Sequence, residues 1–250
     1  MYSTFQFTRE IRNYWTAFIR FIYPSACVLC SSALDIDQNQ LSFACLNKLH
    51  PLKKPLCEVC SAELPPFKPK PYRCNSCRTR KTYYRRGAAL FPYGEDIKTI
   101  LHQVKFEKKP WRLNILKPYF KNISTPLPLS QYNLIIPVPM DPHRRREREF
   151  NQSHLIAQLL TQGKHAPKVK NLLKKVRPTP PQSLLSRSER LINLADTFRL
   201  KRGVNIKDQS ILMVDDIVTT GATIDECAKC LIQNGAKRVD FFSLAKAITS

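Results

Sequence analysis

Acidic side chains are scarce in this sequence. The chain of 250 residues has 19 Asp and Glu against 41 Lys and Arg, which gives a formal net charge of +22. A well-solvated basic surface is an insufficient explanation for such an imbalance, which predicts a polyanionic partner, either a nucleic acid or an anionic membrane surface. A chain of this length can hold one large core and a small additional module.

Long apolar runs are also missing, and no uninterrupted run is long enough to span a bilayer. The N-terminal stretch carries Ile11, Trp15 and Phe18 at helical spacing, but Arg9 and Arg12 interrupt any apolar core of a signal peptide. We interpret it as an amphipathic helix packed on its own domain, with reversible membrane contact as the alternative. The sequence therefore predicts a cytoplasmic protein.

Cysteine, in contrast, is concentrated near the N-terminus, where seven of the nine cysteines precede residue 80. In a cytoplasmic chain, cysteine pairs separated by two residues favour metal ligation over disulfides. A structural zinc contributes about 10–16 kcal/mol of folding free energy, which a short, loop-rich module needs because its core is small. Two pairs flanking a loop rich in proline and lysine form a complete four-thiolate set for zinc: Cys57, Cys60, Cys74 and Cys77.

A second cysteine set is incomplete. Ser42 stands where the pair partner of its last cysteine would be expected. Either His50 completes a site of three cysteines and one histidine, or the site has lost its metal, and interleaved pairing between the two sets is a third interpretation. The three thiols of this set are Cys27, Cys30 and Cys45.

The loop between the pairs of the complete set is "ELPPFKPKPYR". Its prolines make it rigid and its lysines make it basic. The aromatic rings of Phe67 and Tyr72 are therefore available to stack on nucleic-acid bases, or they cover the metal site instead.

After the cysteine-rich part, strand patterns alternate with helix patterns. We predict strands in "RRGAALFPY", "NLIIPVPM", "SILMVDDIV" and "KRVDFFSLAKAI", and helices in "EDIKTILHQVKF", "NQSHLIAQLLTQ", "RSERLINLADTF" and "TIDECAKCLIQNG". Such alternation predicts an α/β domain with a largely parallel sheet. The predicted division is an N-terminal helix and cysteine-rich module at 1–80, followed by the α/β domain at 81–250.

The stretch "ILMVDDIVTTGATI" joins a buried strand to a polar turn. Asp215 and Asp216 follow four apolar residues and are expected at the carboxyl end of the strand, where open α/β sheets bind ligands. Unpaired N–H groups and a helix dipole make the turn an anion site. Carboxylates for sugar hydroxyls beside a phosphate cradle predict a sugar-phosphate site, in which the turn supplies Thr219, Thr220, Gly221, Ala222 and Thr223.

Arginines are concentrated in "PVPMDPHRRREREFNQ", which follows a predicted strand and is expected to be a loop. Because arginine binds phosphate oxygens bidentately, the cluster fits a pyrophosphate or a nucleic-acid backbone, with a solvated charged loop as the alternative. The cluster consists of Arg144, Arg145, Arg146 and Arg148.

Two other groups of residues carry weaker signals. Cys227 and Cys230 lie within a predicted helix on the face that carries its apolar residues, so we interpret them as core residues rather than redox or metal groups. A segment before that helix offers scattered polar points whose spacing is not specific: Arg177, Gln182, Arg190 and Asn193.

Taken together, these motifs resemble a known family. The stretch "ILMVDDIVTTGATI" looks like the phosphoribosyl pyrophosphate signature of type I phosphoribosyltransferases, and the whole chain is similar to the ComF (ComFC) family of competence-associated proteins. The likeness covers the cysteine-rich head, "HQVKF" near Lys105, "IPVPMDPHRRREREFNQ", "RPTPPQSLLSRSERLINLADTF" and the signature, in the family's order. In two places the chain departs from the family: Glu149 replaces a usual glycine, and Ser42 replaces a cysteine.

The resemblance implies a type I phosphoribosyltransferase fold, an open and mostly parallel sheet with flanking helices, preceded by a small double zinc ribbon. It implies that Asp215 and Asp216 bind the ribose hydroxyls and that the Thr219–Thr223 turn binds the 5′-phosphate. The arginine segment would face the pyrophosphate, which carries a magnesium ion. The resemblance also implies action in DNA uptake, with single-stranded DNA and a helicase-like or recombination mediator protein as partners.

Three functions fit the sequence. The first is a phosphoribosyltransferase-fold protein that binds phosphoribosyl pyrophosphate and single-stranded DNA in natural competence. The second is a metabolic phosphoribosyltransferase, a glycosyltransferase acting on a small nucleophile, and the third is a ligand sensor without turnover. The net charge and the basic head favour the first, and no general base or base-binding pocket is evident from the sequence.

Overall fold

A computed structural model describes residues 26–34, 40–121, 127–162, 166–177 and 196–247. The chain divides into two compact units, Met1–Leu49 and His50–Ser250. The predicted N-terminal amphipathic helix lies outside the described residues, and so does the predicted helix "RSERLINLADTF" apart from its last three residues. The division at residue 80 that the sequence predicts stays a prediction.

In the first unit, short local elements position the cysteines. An antiparallel bridge pairs Ala26 with Ala33 and closes a tight turn between them. Helix α1 (Phe43–Leu46) begins after Ser42, whose hydroxyl accepts a hydrogen bond from the backbone N–H of Cys45 at 3.3 Å. This cap satisfies one of the unpaired N–H groups of the helix and fixes the serine beside the helix start.

The second unit contains a parallel sheet in which β1, β7, β6, β2 and β3 neighbour one another in that order, and an antiparallel pair of β4 and β5. The predicted strands are confirmed, and so are the predicted helices that the structure describes in full. The prediction was wrong at the end of "RSERLINLADTF", where Phe198 begins a strand instead of ending a helix. The elements of this unit are α2 (Asn75–Thr79), β1 (Gly87–Pro92), α3 (Glu95–Phe106), a 3-10 helix (Pro110–Leu116), α4 (Lys117–Lys121), a 3-10 turn (Leu129–Gln131), β2 (Leu134–Pro137), α5 (Pro142–Arg148), α6 (Gln152–Leu160), β3 (Lys168–Val169), β4 (Leu173–Lys175), β5 (Phe198–Leu200), β6 (Ser210–Val218), α7 (Ala222–Gln233) and β7 (Arg238–Lys246).

Strand β6 lies at the centre of the sheet, between β7 and β2. Its apolar run, from Ile211 to Val214, is at most 1% exposed, as expected for a strand covered on both faces. Because all five strands are parallel, the residues at their carboxyl ends meet at one edge of the sheet. Asp215 and Asp216 occupy that part of β6.

The second cysteine-bearing segment packs directly on the edge strand β1. The N–H of Gly87 donates to the carbonyl of Glu58 at 3.1 Å, and the N–H of Leu52 donates to the carbonyl of Leu90 at 2.9 Å. A Cβ at Gly87 would lie 2.7 Å from the carbonyl oxygen of Val59, so this close approach requires glycine. Residues 50–80 are therefore structurally continuous with the sheet.

The arginine-rich segment is helix α5, so the prediction of a loop was wrong. Asp141 caps the helix by accepting from the N–H of His143 at 3.0 Å, and Pro142 occupies the first helical position. The helix ends at Glu149, which has φ 71° and ψ −16°. This left-handed conformation favours glycine, and the resembled family has a glycine at this position.

Candidate functional site

The carboxyl ends of β2 and β6 border a cleft of about 180 Å³. Helices α3, α5 and α6 and strand β4 contribute side chains to its walls, and the first turn of α7 contributes Thr223. Both signs of charge are present. The polar lining residues are Lys105, Asp141, Arg144, Arg148, Asn151, Gln152, Ser153, Lys175, Asp215, Asp216 and Thr223.

The two adjacent carboxylates are held by different partners. The hydroxyl of Ser153 donates to Asp215 Oδ1 at 2.9 Å, and the backbone N–H of Asp216 donates to the same oxygen at 2.9 Å. The ammonium of Lys105 forms an ion pair with Asp216 Oδ2, and both side chains are less than one-fifth exposed. The predicted Asp pair thus lies in the cleft, with a cation from α3 against it.

Six polar lining residues were missed as site residues by reasoning from the sequence: Lys105, Asp141, Asn151, Gln152, Ser153 and Lys175. Lys105 lies about 110 positions from its partner Asp216, and its only signal was the family likeness of "HQVKF". Gln152 and Ser153 begin helix α6, where Asn151 caps the first turn by accepting from the N–H of Ser153 at 3.0 Å. The amide nitrogen of Gln152 is buried without a hydrogen-bond partner in the described residues, so the cleft contains an unused donor.

Burial raises the pKa of Asp215 to about 7, and the neighbouring charge of Asp216 acts in the same direction. The hydrogen bonds from the Asp216 backbone and from Ser153 oppose this shift, as does the charge of Lys105. Near neutral pH, Asp215 is therefore divided between its protonated and ionised forms. A ligand that needs an ionised carboxylate binds in competition with that proton.

Stability of the ligand-free protein should fall as the pH rises from about 4 to about 7. An aspartate in the unfolded chain has a pKa of about 3.9, so in this window the folded protein holds a proton on Asp215 that the unfolded chain has lost. Asp215→Asn removes this titration. The variant should be more stable than the parent by about 4 kcal/mol at pH 8, since each unit of pKa shift corresponds to about 1.4 kcal/mol, and about equal at pH 4.

Thermal unfolding of both proteins across this pH range measures the difference. The exposed Asp208, changed to Asn, serves as the matched control because it lies outside the cleft lining. A difference between Asp215→Asn and the parent that stays constant with pH would contradict the raised pKa.

The arginine cluster is divided between two environments. Arg144 and Arg148, one helical turn apart, line the cleft, whereas Arg145 and Arg146 do not. Arg148 is half-buried, and the other three arginines are exposed. The guanidinium of Arg148 lies 5.0 Å from the ring centroid of Phe106, and burial lowers the pKa of this arginine, as does the nearby charge of Arg144. Two arginines are thus placed to meet a bound anion, and two face outward.

The predicted anion turn contains a glycine in the left-handed conformation. Gly221 precedes α7 with φ 77°, and a Cβ at this position would lie 2.9 Å from the hydroxyl oxygen of Tyr84. Of the turn residues Thr219–Thr223, Thr223 lines the cleft. Both the left-handed conformation and the close tyrosine explain the glycine.

The four-cysteine set predicted for zinc is assembled in the second unit. The ligand atoms of Cys57, Cys60, Cys74 and Cys77 all lie within 4.8 Å of one another. The Sγ atoms of Cys60 and Cys74 are 3.7 Å apart, close to the edge of about 3.8 Å for a tetrahedron with Zn–S bonds of about 2.3 Å. The geometry fits a zinc ion.

The thiol chemistry of this set also fits a cation. Hydrogen bonds from Cys60 and Cys77 lower the pKa of Cys57, while the proximity of Cys57 raises the pKa of Cys60 to about 12. Four crowded thiols therefore cannot ionise together on their own. A divalent cation removes this repulsion and stabilises the thiolates.

The first unit brings Cys27, Cys30 and Cys45 together as a three-cysteine group. The hydroxyl of Ser42 lies 3.6 Å from Cys30 Sγ, and the N–H of Ser42 donates to Cys27 Sγ at 3.3 Å. Ser42 thus occupies the fourth position of this group, and no histidine belongs to it among the described residues. The alternative in which His50 completes the set is not favoured.

Burial decides two other interpretations. Phe67 is 97% exposed, so its ring does not cover the metal site. Cys227 is fully buried among the core residues of α7, as predicted, and Cys230 is half-buried. Of the weaker polar candidates, Arg177 is exposed, and the other three lie outside the described residues: Gln182, Arg190 and Asn193.

Among the helices within the described ranges, none is long and apolar enough to cross a membrane. The fold and the clusters define an α/β protein that carries cysteine-based metal sites and a cleft with paired carboxylates at the end of its parallel sheet. Residues 18–79 match the family model described as a double zinc ribbon domain, which supports zinc at the cysteine sets.

Curated relatives match nearly the whole chain. Competence protein F of Haemophilus influenzae is 27% identical over 226 residues, with coverage of 88% of this chain and 96% of that protein. DNA utilization protein YhgH of Escherichia coli is 28% identical over 231 residues, covering 90% and 98%. Competence protein ComFC of Bacillus subtilis is 25% identical over 248 residues, covering 90% and 97%. The resemblance to the ComF family is confirmed.

Two solved phosphoribosyltransferases also match. The purine phosphoribosyltransferase of Pyrococcus horikoshii covers 57% of this chain and 75% of its own, at 15% identity and a TM-score of 0.27. The hypoxanthine phosphoribosyltransferase of Staphylococcus aureus covers 62% and 74%, at 11% identity and a TM-score of 0.30. The predicted fold class, a mostly parallel α/β sheet preceded by a zinc ribbon, is confirmed by the sheet itself and by the ribbon match.

Proposed function

We propose that the cleft binds phosphoribosyl pyrophosphate and that the protein acts with single-stranded DNA in competence and DNA uptake. One observation supports this ligand: a single cleft is lined by the carboxylates of Asp215 and Asp216, by Arg144 and Arg148, and by Thr223 at the end of the predicted anion turn. The names of the relatives, which refer to competence and DNA utilisation, support the biological role.

Each part of the cleft matches a different part of the ligand. Asp215 and Asp216 accept hydrogen bonds from the ribose hydroxyls, and the Thr219–Thr223 turn at the start of α7 binds the 5′-phosphate. Arg144 and Arg148 bind the pyrophosphate. The ammonium of Lys105, which pairs with Asp216 Oδ2, lies beside this ribose position.

Magnesium would be held mainly by the pyrophosphate of the ligand. The cleft also contains carboxylate oxygens, those of Asp141 among them, and oxygen ligands of this type are the ones that the ion prefers. When bound, the ion supplies neutralisation of the charge on the pyrophosphate leaving group.

Single-stranded DNA is proposed as the polyanionic partner because of the net charge of +22 and the placement of exposed side chains. Arg145 and Arg146 face away from the cleft, so they are free to contact a phosphate backbone while the cleft is occupied. The exposed ring of Phe67, on a rigid basic loop, is available to stack on a base.

Affinity for single-stranded DNA should depend strongly on salt. If about five phosphates are contacted, the logarithm of the affinity should fall against the logarithm of salt concentration with a slope of about −3.5. Arg145→Ala with Arg146→Ala should flatten the slope by about 1.4, since each phosphate contact contributes about 0.7 for single strands. Fluorescence anisotropy with a labelled strand measures both slopes.

The matched control removes two other exposed positive charges, through Lys98→Ala with Lys237→Ala. This control should leave the slope close to that of the parent. A slope near zero for the parent, or no binding at low salt, would remove nucleic acid as a partner.

A metabolic phosphoribosyltransferase is the second candidate, favoured by the pKa of about 7 for Asp215, which suits a group that exchanges a proton near neutral pH. A pyrophosphate-release assay with magnesium, phosphoribosyl pyrophosphate and a panel of amines separates the candidates. Amine-dependent release without DNA binding would favour the metabolic enzyme. Ligand binding with neither release nor DNA binding would favour a sensor.

A further inference from the structure

Two cations hold the anion turn by its backbone carbonyls. The guanidinium of Arg80 donates to the carbonyl of Thr220 at 2.8 Å and pairs with Asp225 in the first turn of α7 at 3.1 Å. The ammonium of Lys246, a buried residue at the end of β7, donates to the carbonyl of Thr219. Two consecutive peptide groups of the turn are thus fixed from one side.

Fixing these carbonyls also orients N–H groups. In a trans peptide, the carbonyl of one residue and the N–H of the next point in opposite directions. The contacts of Lys246 and Arg80 therefore direct the N–H groups of Thr220 and Gly221 away from the two cations. Neither N–H has a hydrogen-bond partner within the described part of the chain, so both are available to an anion.

Both cations are connected to the four-cysteine site. Arg80 directly follows helix α2, which begins after Cys74 and carries Cys77. Lys246 ends β7, and Phe241 of the same strand packs in one buried cluster with Cys57 and Cys77. A zinc ion with four thiolates has a formal charge of about −2, which favours retention of these two cations nearby.

Hydrophobic packing reinforces this connection. Cys57 and Cys77 belong to the same buried cluster as Tyr84 and the first residues of α7, Ala222 and Ile224. Displacement of the cysteine loops therefore displaces the surface on which the turn rests. The zinc site and the anion turn form one packed assembly.

We propose that Arg80 and Lys246 are positioning residues through which the four-cysteine zinc site holds the Thr219–Thr223 turn in its anion-binding shape. Loss of zinc, or of either cation, disorders the turn and weakens ligand binding at the cleft. The ligand part of this inference rests on the proposed binding of phosphoribosyl pyrophosphate, whereas the effect on turn order does not.

The test uses zinc-loaded full-length protein and the variants Arg80→Ala and Lys246→Met. Backbone ¹⁵N order parameters of Thr220 and Gly221 report the turn without any ligand. We expect them to fall in both variants and after zinc is removed from the parent by a chelator. Affinity for phosphoribosyl pyrophosphate should fall about tenfold to a hundredfold in the variants, with unchanged zinc content.

Arg78→Ala is the matched control, because it removes an exposed positive charge from the last turn of helix α2, two residues before Arg80. It should change neither the order parameters nor the affinity. Unchanged order parameters in Arg80→Ala and Lys246→Met would overturn the inference. If the order parameters fall as expected but the zinc-loaded parent binds no phosphoribosyl pyrophosphate, the proposed function is overturned and the positioning role stands.

Discussion

Replacement of Asp215 and Asp216 together by asparagine should weaken the binding of phosphoribosyl pyrophosphate by about two to four orders of magnitude. Each charge-assisted hydrogen bond to a ribose hydroxyl contributes about 1.5–3 kcal/mol, and about 1.4 kcal/mol corresponds to a factor of ten in affinity. The substitutions preserve side-chain shape. The hydroxyl of Ser153 donates a hydrogen bond to Asp215 Oδ1 at 2.9 Å, and the side-chain oxygen of an asparagine at position 215 can still accept it.

Calorimetry with the magnesium complex of the ligand measures this loss. Affinity for single-stranded DNA should be kept or slightly increased in the double variant, because two negative charges are removed. The exposed Asp208→Asn is the matched control and should bind the ligand as the parent does. Equal ligand affinity in the double variant and the parent would show that the two aspartates do not bind the ligand.

Cys74→Ser should release zinc from the four-cysteine site and cause the largest loss of stability. The free energy that a structural zinc contributes to folding is about 10–16 kcal/mol, and a three-thiol site retains only part of it. The sequence alone suggests that the α/β domain survives this loss. The structure changes that expectation, because Cys57 and Cys77 pack in the same core cluster as Phe241 of the sheet.

We therefore expect a lower unfolding temperature for the whole second unit, together with rapid proteolysis between residues 50 and 80. Zinc content by atomic absorption, thermal unfolding and limited proteolysis measure the three effects. Cys230→Ser is the matched control, since this half-buried thiol lies outside both cysteine groups. Zinc content equal to that of the parent would show that Cys74 is not a ligand.

The elements with strong local patterns could be predicted from the sequence. The apolar run before Asp215 gives β6, and the periodic "EDIKTILHQVKF" gives α3 with four buried residues on one face. The spacing of Cys57 and its three partners predicts their assembly, because pairs of this kind leave few other geometries for a metal.

Other features depend on contacts between distant segments, and these leave no periodic signal in the chain. The ion pair of Lys105 with Asp216 joins α3 to β6, and the hydrogen bond of Arg80 to Thr220 joins the cysteine segment to the anion turn. The division of the arginine cluster requires the helical geometry of α5. Its N-cap, Asp141 followed by proline, was the available signal for that helix, but the density of charge favoured a loop.

Binding of phosphoribosyl pyrophosphate in the cleft can be measured by calorimetric titration of the zinc-loaded protein at pH 8 with magnesium. At this pH, Asp215 is mostly ionised, since its pKa is about 7. We expect saturable binding of one ligand per chain, stronger than that of ribose 5-phosphate or pyrophosphate alone. Absence of binding heat and of competition at millimolar ligand, with the protein folded and zinc-loaded, would contradict it.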